Sequence, residues 1–503
     1  MTPPLPTSII VGDPKSKCAT FSRFILPFPY FPQPIAAAGS KAGTPIFTEA
    51  HAEDWLHSPL AKRSKTDVIS AEDRKRRDYL RRETSDVLFE RARWFALHGM
   101  EKLVFELVPD GTGTGPTVEM RPPAIVLFEM PLQSATNVKT EAEVDAVLQV
   151  GFLVVELFFK DEAQATLDNL ALLNELFRYR QRPFQDHSEH DKDYRRYLGN
   201  LPRNPLDPQG LKLKDSGKVP HPELEFYLKR WSPFLQCPVQ LESGKCFKLM
   251  PDKWISDAEA WVCGHPGPKQ SHGWLAHADY RAFVWSCAVA KKDSNLLLAV
   301  RELAKSDEET VKALKILPDS LGAWAKFLNV DDYLNDPQDD SKTPASAGRL
   351  PETKRVTPFN RRWAAERTYM GWAHFGALQG YCQHAGVMLT GPCSNPPTWR
   401  HFGAMYFDQA LLLLYCREVL FRFSYRVSRY SLTATDSDKT KEEFGDQFKR
   451  LRAQFTRFTN RYQFPLLSNQ QQALELYQML RDNLEVMPLF EEVKEEVETT
   501  TEF

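Results

Sequence analysis

The sequence predicts an α/β (or α+β) fold, in which an N-terminal mixed sheet flanked by helices precedes a C-terminal bundle of long stalk-like helices. Two observations carry this prediction. Short β-rich segments separated by turns follow one another between residues 102 and 160, which is typical of strands. From residue 359 onward, apolar residues recur three and four positions apart, and this spacing places them on one face of a helix.

The strand segments are KLVFELV, TVEM, AIVLFEM and the near-continuous apolar run LQVGFLVVELFF. The last of these is typical of a strand that is buried on both faces. Helices are predicted over residues 70–98, with Ser70 as the N-cap, and over residues 162–182. The dense prolines of FSRFILPFPYFPQP exclude a regular helix near the N-terminus and predict extended segments there.

Composition divides the chain into four predicted parts. Residues 335–355 are polar and without periodicity, as expected of a flexible linker. The parts are an extended Pro/aromatic-rich segment (1–60), a mixed α/β domain (61–334), the linker (335–358) and a long-helix bundle (359–503).

The bundle is predicted to contain helical stretches at 401–431, 440–463 and 469–503. The middle stretch carries an apolar stripe that one hairpin partner would not fully cover, which predicts self-association. Its members are Phe444, Phe448, Leu451, Phe455, Phe458 and Tyr462.

Composition also excludes several classes of protein. The 503 residues carry a formal net charge of −2 and are 42% hydrophobic, so the chain can bury large cores and has no overall attraction for nucleic acid. No uncharged apolar stretch reaches the roughly 18–20 residues of a membrane-spanning helix, and the N-terminus lacks a signal-peptide pattern. Eight scattered cysteines without a CxxC pair predict a reducing compartment and free, mostly buried thiols.

The densest group of potential metal ligands lies in CGHPGPKQSHGWLAHADYR, and its members are Cys263, His265, His272 and His277. Zinc binds Cys and His in tetrahedral sets, but this spacing matches no standard structural zinc module. The segment is therefore interpreted as a surface loop, and the competing hypothesis is a metal-dependent hydrolase. His187 and His190, among acidic residues, are interpreted in the same way.

No catalytic motif is present in the sequence. The turn DGTGTGP lacks GxxxxGK[ST], so it does not predict a phosphate loop, and GxSxG is absent. The basic run between Arg74 and Arg82 is interspersed with acidic residues and predicts a solvated helix face rather than a phosphate-binding or lipid-binding site. The histidines near Cys382 and Cys393 are interpreted as core residues and not as a catalytic set; they are His374, His384 and His401.

Residues 360–503 resemble the soluble part of CorA-like divalent-metal (magnesium) transporter proteins, in a divergent bacterial branch. The resemblance is carried by ERTYMGWAHFGALQGYCQHAGVMLTG, HFGAMYFDQALLLLYCREVLFRFSYRVSRYS, FKRLRAQFTRFTNRYQFPLLSNQQQALELYQML and VMPLFEEVKEEVE. Within them, Tyr406 and Leu411–Leu414 form a Tyr/Leu-rich seam. Asn460-Arg461-Tyr462 and the turn Ser468–Gln471 follow it.

The resemblance implies a non-catalytic, cytoplasmic regulatory and oligomerisation domain of a metal-ion transporter, at the cytoplasmic face of the inner membrane. It implies a homo-oligomer such as a pentamer, Mg²⁺ or another divalent cation as the ion, and membrane contact through segments absent from this chain. The family's two membrane helices and Gly-Met-Asn pore motif are absent, so no ion-binding residue can be assigned.

An alternative function is a soluble ligand-sensing or defence-signalling module on the same scaffold. The end of the sequence, EEVETTTEF, lacks helix stop signals. We therefore expect the natural protein to continue in a longer helix past Phe503.

Overall fold

The computed structural model describes residues 20–29, 55–57, 71–97, 103–107, 116–120, 124–129, 148, 150–160, 164–178, 211–213, 282–292, 294–305, 316–330, 357–392, 398–433, 438–462 and 467–499. The predicted linker at 335–355 and residues 110–115 of the turn DGTGTGP lie outside these residues.

Within the described ranges, twelve strands form one mixed sheet. They are β1 (Phe21–Pro29), β2 (Trp55–His57), β3 (Arg93–Leu97), β4 (Leu103–Leu107), β5 (Thr117–Met120), β6 (Ala124–Leu127), β7 (Val150–Phe159), β8 (Leu211–Leu213), β9 (Phe283–Val289), β10 (Thr368–Tyr369), β11 (Leu378–Cys382) and β12 (Ala385–Thr390). The order is β10-β11-β12-β9-β1-β7-β5-β4-β8, while β6 also pairs with β7, β3 with β6 and β2 with β3. The pair β9–β12 is parallel, and the other pairs are antiparallel.

The Pro/aromatic-rich strand β1 lies inside the sheet, between β7 and β9. Its residues 21–25 pair with β9, and residues 22–29 pair with β7. Pro27 and Pro29 therefore lie past the end of the β9 pairing, where a missing backbone N–H is tolerated. The extended conformation predicted for this segment is thus that of an internal strand.

The helices are α1 (Ala71–Tyr79), α2 (Arg82–Asp86), α3 (Leu167–Arg178), α4 (Asn295–Lys305), α5 (Gly322–Leu328), α6 (Pro358–Glu366), α7 (Thr398–Gly403), α8 (Met405–Thr433), α9 (Asp438–Tyr462), α10 (Gln471–Asn483) and α11 (Val486–Thr499). A π-helical turn, Val87–Arg91, follows α2.

Alternate residues of β9 contact different helical layers on the two faces of the sheet. On one face, Ser286 Oγ lies 2.8 Å from Ser22 Oγ, which donates to Asn174 of α3 at 2.5 Å. On the other face, the Trp285 ring stacks on Phe402 of α7 at 4.1 Å. Helices α3 and α5 pack on the first face and α7 and α8 on the second, so the fold has three layers.

Helix α8 is the centre of the bundle. Its residues 406–416 are buried without interruption, and it contacts α9, α10 and α11. The apolar stripe of α9 is buried within the chain: Phe448, Leu451, Phe455 and Phe458 are each at most 7% exposed. Both α8 and α11 pack against these residues, so a second helix of the same chain adds to the cover that one partner helix provides.

The α/β fold with C-terminal helices is confirmed, while two boundaries differ. Helix formation predicted for 70–98 stops before β3, because residues 93–96 pair with β6. The segment predicted as a long-helix bundle contains β10–β12 directly after α6, and β12 pairs with β9. The sheet thus crosses the predicted boundary at 335–358. None of the helices in the described ranges is both long and apolar enough to cross a membrane.

Candidate functional site

Four tyrosines meet where the sheet edge, α1 and the bundle come together; we call Tyr79, Tyr369, Tyr381 and Tyr406 the tyrosine cluster. The rings of Tyr79 and Tyr406 lie 6.1 Å apart, edge to face. In the β10–β11 register Tyr369 lies opposite Gln379. Tyr381 is two residues further along β11, so all three side chains lie on the same face of the sheet.

Hydrogen bonds hold two of these hydroxyls. The Tyr369 hydroxyl donates to Glu475 Oε2 of α10 at 2.7 Å, and Glu475 Oε1 accepts from Gln471 at 2.9 Å. Inside the core, the Gln379 amide nitrogen donates to the Tyr381 hydroxyl oxygen at 2.5 Å. The contact between Tyr369 and Glu475 is charge-assisted and joins the sheet edge to α10.

A buried ion pair fixes α1 to the bundle beside the cluster. Arg76 Nε donates to Asp408 Oδ2 at 2.8 Å, and Arg76 Nη2 contacts Asp408 Oδ1. The Asp408 side chain on α8 is fully buried, and that of Arg76 is 15% exposed. Two nearby contacts also hold this segment, since Ser468 Oγ donates to the Tyr79 carbonyl and the Arg81 amide donates to the Leu467 carbonyl.

The basic run between Arg74 and Arg82 is therefore not simply a solvated face. Lys75, Arg81 and Arg82 are exposed, as predicted. Arg76 instead pairs with Asp408, and Arg77 is buried with its guanidinium 5.2 Å from the centre of the Phe89 ring. Two of the cations thus lie on the helix side that packs against other elements.

Burial fixes the protonation of the cluster. It raises the pKa of all four phenols above the ordinary value of 10.0. Neighbouring phenols raise the pKa of Tyr79 and Tyr381 further, and the Glu475 carboxylate does the same for Tyr369. Burial also lowers the pKa of His401 below 6.5, and its ring lies 6.3 Å from that of Tyr406. At neutral pH the site therefore holds neutral phenols and a neutral imidazole, which suit hydrogen bonding better than proton transfer.

The raised phenol pKa values predict a loss of stability in alkali. Below about pH 10 the phenols are protonated in both the folded and the unfolded chain. Above pH 10 the unfolded chain loses protons that the folded chain retains. The buried phenols Tyr381 and Tyr406 should each lower the free energy of unfolding as the pH rises above 10, by at most about 1.4 kcal/mol per pH unit. Urea unfolding of wild type and Tyr381→Phe between pH 8 and 11 measures this, and we expect a shallower decline in the variant. Equal slopes would contradict the prediction.

A second polar contact ties the sheet to α9. Glu129 follows β6 with a φ of 57°, and its carboxylate accepts from the Tyr462 hydroxyl and, at 3.3 Å, from Arg461. The preceding Phe128 stacks on Tyr415 of α8 at 4.3 Å. Left-handed backbone at a non-glycine residue is costly, so these contacts hold Glu129 in place.

The sequence candidates for metal binding belong to segments that the structure does not describe. Cys263, His265, His272, His277, His187 and His190 lie outside the described residues. Across the residues that are described, no group of three or more His, Cys, Asp or Glu side chains could hold a metal ion.

The candidate histidines near Cys382 differ in burial. His374 is exposed on the short turn Ala373–Phe375, so its interpretation as a core residue is wrong, while His384 and His401 are half-buried. Cys382, Cys287 and Cys416 are buried free thiols. Burial raises the pKa of Cys416 to about 12, so its thiol is protonated and unreactive at neutral pH.

Sequence reasoning did not single out Asp408 or Glu475 as partners in this site. One signal was available for Asp408, which is a lone carboxylate among apolar residues in YFDQALLLLY, since such residues are seldom buried unless paired. Comparisons with protein-family models, curated proteins and solved structures find no match for this chain.

Proposed function

We propose that this chain is the non-catalytic, cytoplasmic regulatory and oligomerisation domain of a CorA-like metal-ion transporter. The proposal is supported by the resemblance of residues 360–503 and by an architecture in which a mixed sheet packs against long C-terminal helices. The membrane would be reached through segments absent from this chain, and the regulated ion would be Mg²⁺ or another divalent cation.

The observation that carries the proposal is the set of polar contacts that join the sheet and α1 to the C-terminal helices. Arg76 pairs with Asp408 of α8, and Glu129 accepts from Tyr462 of α9. Tyr369 on the sheet edge donates to Glu475 of α10. Buried and half-buried polar contacts of this kind fix relative positions, so a displacement of the sheet is passed to α9 and α10, and a displacement of α1 is passed to α8. Such coupling suits a regulatory domain.

The chemistry of the tyrosine cluster supports a role without catalysis. Its phenols stay protonated at physiological pH because burial raises the pKa of each. A general base needs a pKa near the working pH, which these groups lack. The cluster therefore serves to join the sheet to the helices.

The test is whether the chain self-associates. Size-exclusion chromatography with multi-angle light scattering over a concentration series should give a mass that rises above that of one chain. The series is run in magnesium chloride and in sodium chloride of matched ionic strength, so that an effect of the divalent cation is separated from screening. A strict monomer in both salts would favour the ligand-sensing or signalling alternative.

A further inference from the structure

Two neighbouring helices of the bundle present exposed faces of opposite charge. We call Lys449, Arg450 and Arg452 of α9 the basic face, and Glu491, Glu492 and Glu495 of α11 the acidic face. All six residues are exposed, and the side chains of Lys449 and Glu491 are 82% and 61% exposed. Each face spans about one helical turn.

The ion pairs made by these two residues lie within their own helices. Lys449 Nζ is 3.6 Å from Asp446, and Glu491 is 3.5 Å from Lys494 Nζ. Exposed pairs of this kind contribute little free energy. Both faces can therefore exchange their local partners for a better-matched surface at small cost.

The two faces lie on helices that contact each other. Phe455 of α9 and Phe490 of α11 stack with ring centres 5.6 Å apart. The apolar sides of both helices are already covered within the chain, since Phe448, Phe458 and Val493 are at most 5% exposed. A partner at this surface would therefore be recognised by charge and not by an apolar stripe.

We propose that the basic face of one copy of this chain binds the acidic face of a second copy. The inference rests on the self-association in the proposed function and names its surface. A nucleic acid or an anionic lipid surface would be repelled by the acidic face beside the basic one. A second copy offers both charges over matching lengths. A reciprocal contact closes as a pair, and a head-to-tail contact closes as a ring.

Two triple charge reversals test the inference. One is Lys449→Glu/Arg450→Glu/Arg452→Glu, and the other is Glu491→Lys/Glu492→Lys/Glu495→Lys. Because Glu, Lys and Arg have similar helix propensities, both variants should stay folded, which circular dichroism checks. Each variant alone should associate about ten-fold more weakly or worse, because like charges then face each other.

Restoring association by combining the two charge reversals shows that the two faces bind each other. The sixfold variant that carries both reversals should associate like the wild type, and mixing the two triple variants should give mixed complexes. As a control, Lys75→Glu/Arg82→Glu/Lys292→Glu makes the same charge change at exposed residues elsewhere and should leave association unchanged. Association of the wild type that neither triple variant weakens would overturn this inference alone. A wild type that is monomeric throughout would overturn the proposed oligomerisation as well.

Discussion

Replacement of Asp408 by alanine is expected to lower the free energy of unfolding by about 3–5 kcal/mol, because it removes the fully buried carboxylate with which the largely buried Arg76 guanidinium forms an ion pair. The Asp408 carboxylate is fully buried, and Arg76 Nε and Nη2 both contact it. The pair joins α1 to the first turn of α8, so its loss also loosens α1. Urea unfolding at neutral pH measures the effect. The dependence of the free energy of unfolding on urea concentration is compared between variants.

The double variant Arg76→Met/Asp408→Leu separates loss of the ion pair from general damage. The double variant removes both charges of the pair together, and apolar replacement of a buried ion pair is often neutral or stabilising. We therefore expect the double variant to be more stable than Asp408→Ala. If Asp408→Ala loses less than about 1 kcal/mol, or the double variant is the less stable of the two, the pair does not anchor α1.

Trp285→Ala should lower the free energy of unfolding by a similar amount, about 3–5 kcal/mol, as large-to-small changes in a packed core do. Trp285 is fully buried at the contact between sheet and bundle. Its ring is nearly parallel to Phe402, with an interplanar angle of 7°, and its Nε1 donates to the Phe402 carbonyl at 2.9 Å. On the strand side, a Cβ added to Gly386 would come within 2.3 Å of the ring, so the ring lies flat against β12.

Phe359→Ala is the matched control for the loss of a large aromatic side chain. Phe359 is 74% exposed on α6, and substitution at such a surface residue usually changes stability by less than about 0.5 kcal/mol. Thermal unfolding of both variants compares the two sites. Equal losses would mean that Trp285 does not hold the two layers together.

The elements that sequence predicts best are those whose pattern is local. The apolar run of β7 predicts a buried strand, and residues 150–159 form one between β1 and β5 in the sheet. The spacing of Phe448, Leu451, Phe455 and Phe458 predicts one face of a helix, and these residues are buried on α9. In both cases the period of the apolar residues is itself the structural signal.

The pairing of strands that lie far apart in the chain could not be predicted from local sequence patterns. Residues 93–97 continue a helical pattern, yet they form β3 because β6, some thirty residues later, supplies hydrogen bonds; tertiary contacts override local propensity. The parallel pairing of β9 with β12 likewise joins segments on either side of a stretch that is polar in composition. A polar insertion between two strands need not divide a domain.

The candidate site could not be predicted from the sequence either, because its residues come from distant parts of the chain. Tyr406 belongs to the Tyr/Leu-rich seam that the sequence identifies. Its neighbour Tyr79 precedes it by more than 300 positions, and Arg76 precedes Asp408 by more than 300 positions. The charge pattern along the chain predicts that Arg76 is solvated. The charges of its sequence neighbours do not show which side of α1 is covered by other helices. The side that packs is set by α8.

The most direct test of the proposed function is the mass of the intact chain in solution, measured by multi-angle light scattering as its concentration is raised at low and at high salt. We expect a mass above that of one chain that grows with concentration and falls when sodium chloride screens the basic and acidic faces. A mass equal to one chain at every concentration and in both salts would contradict the proposal.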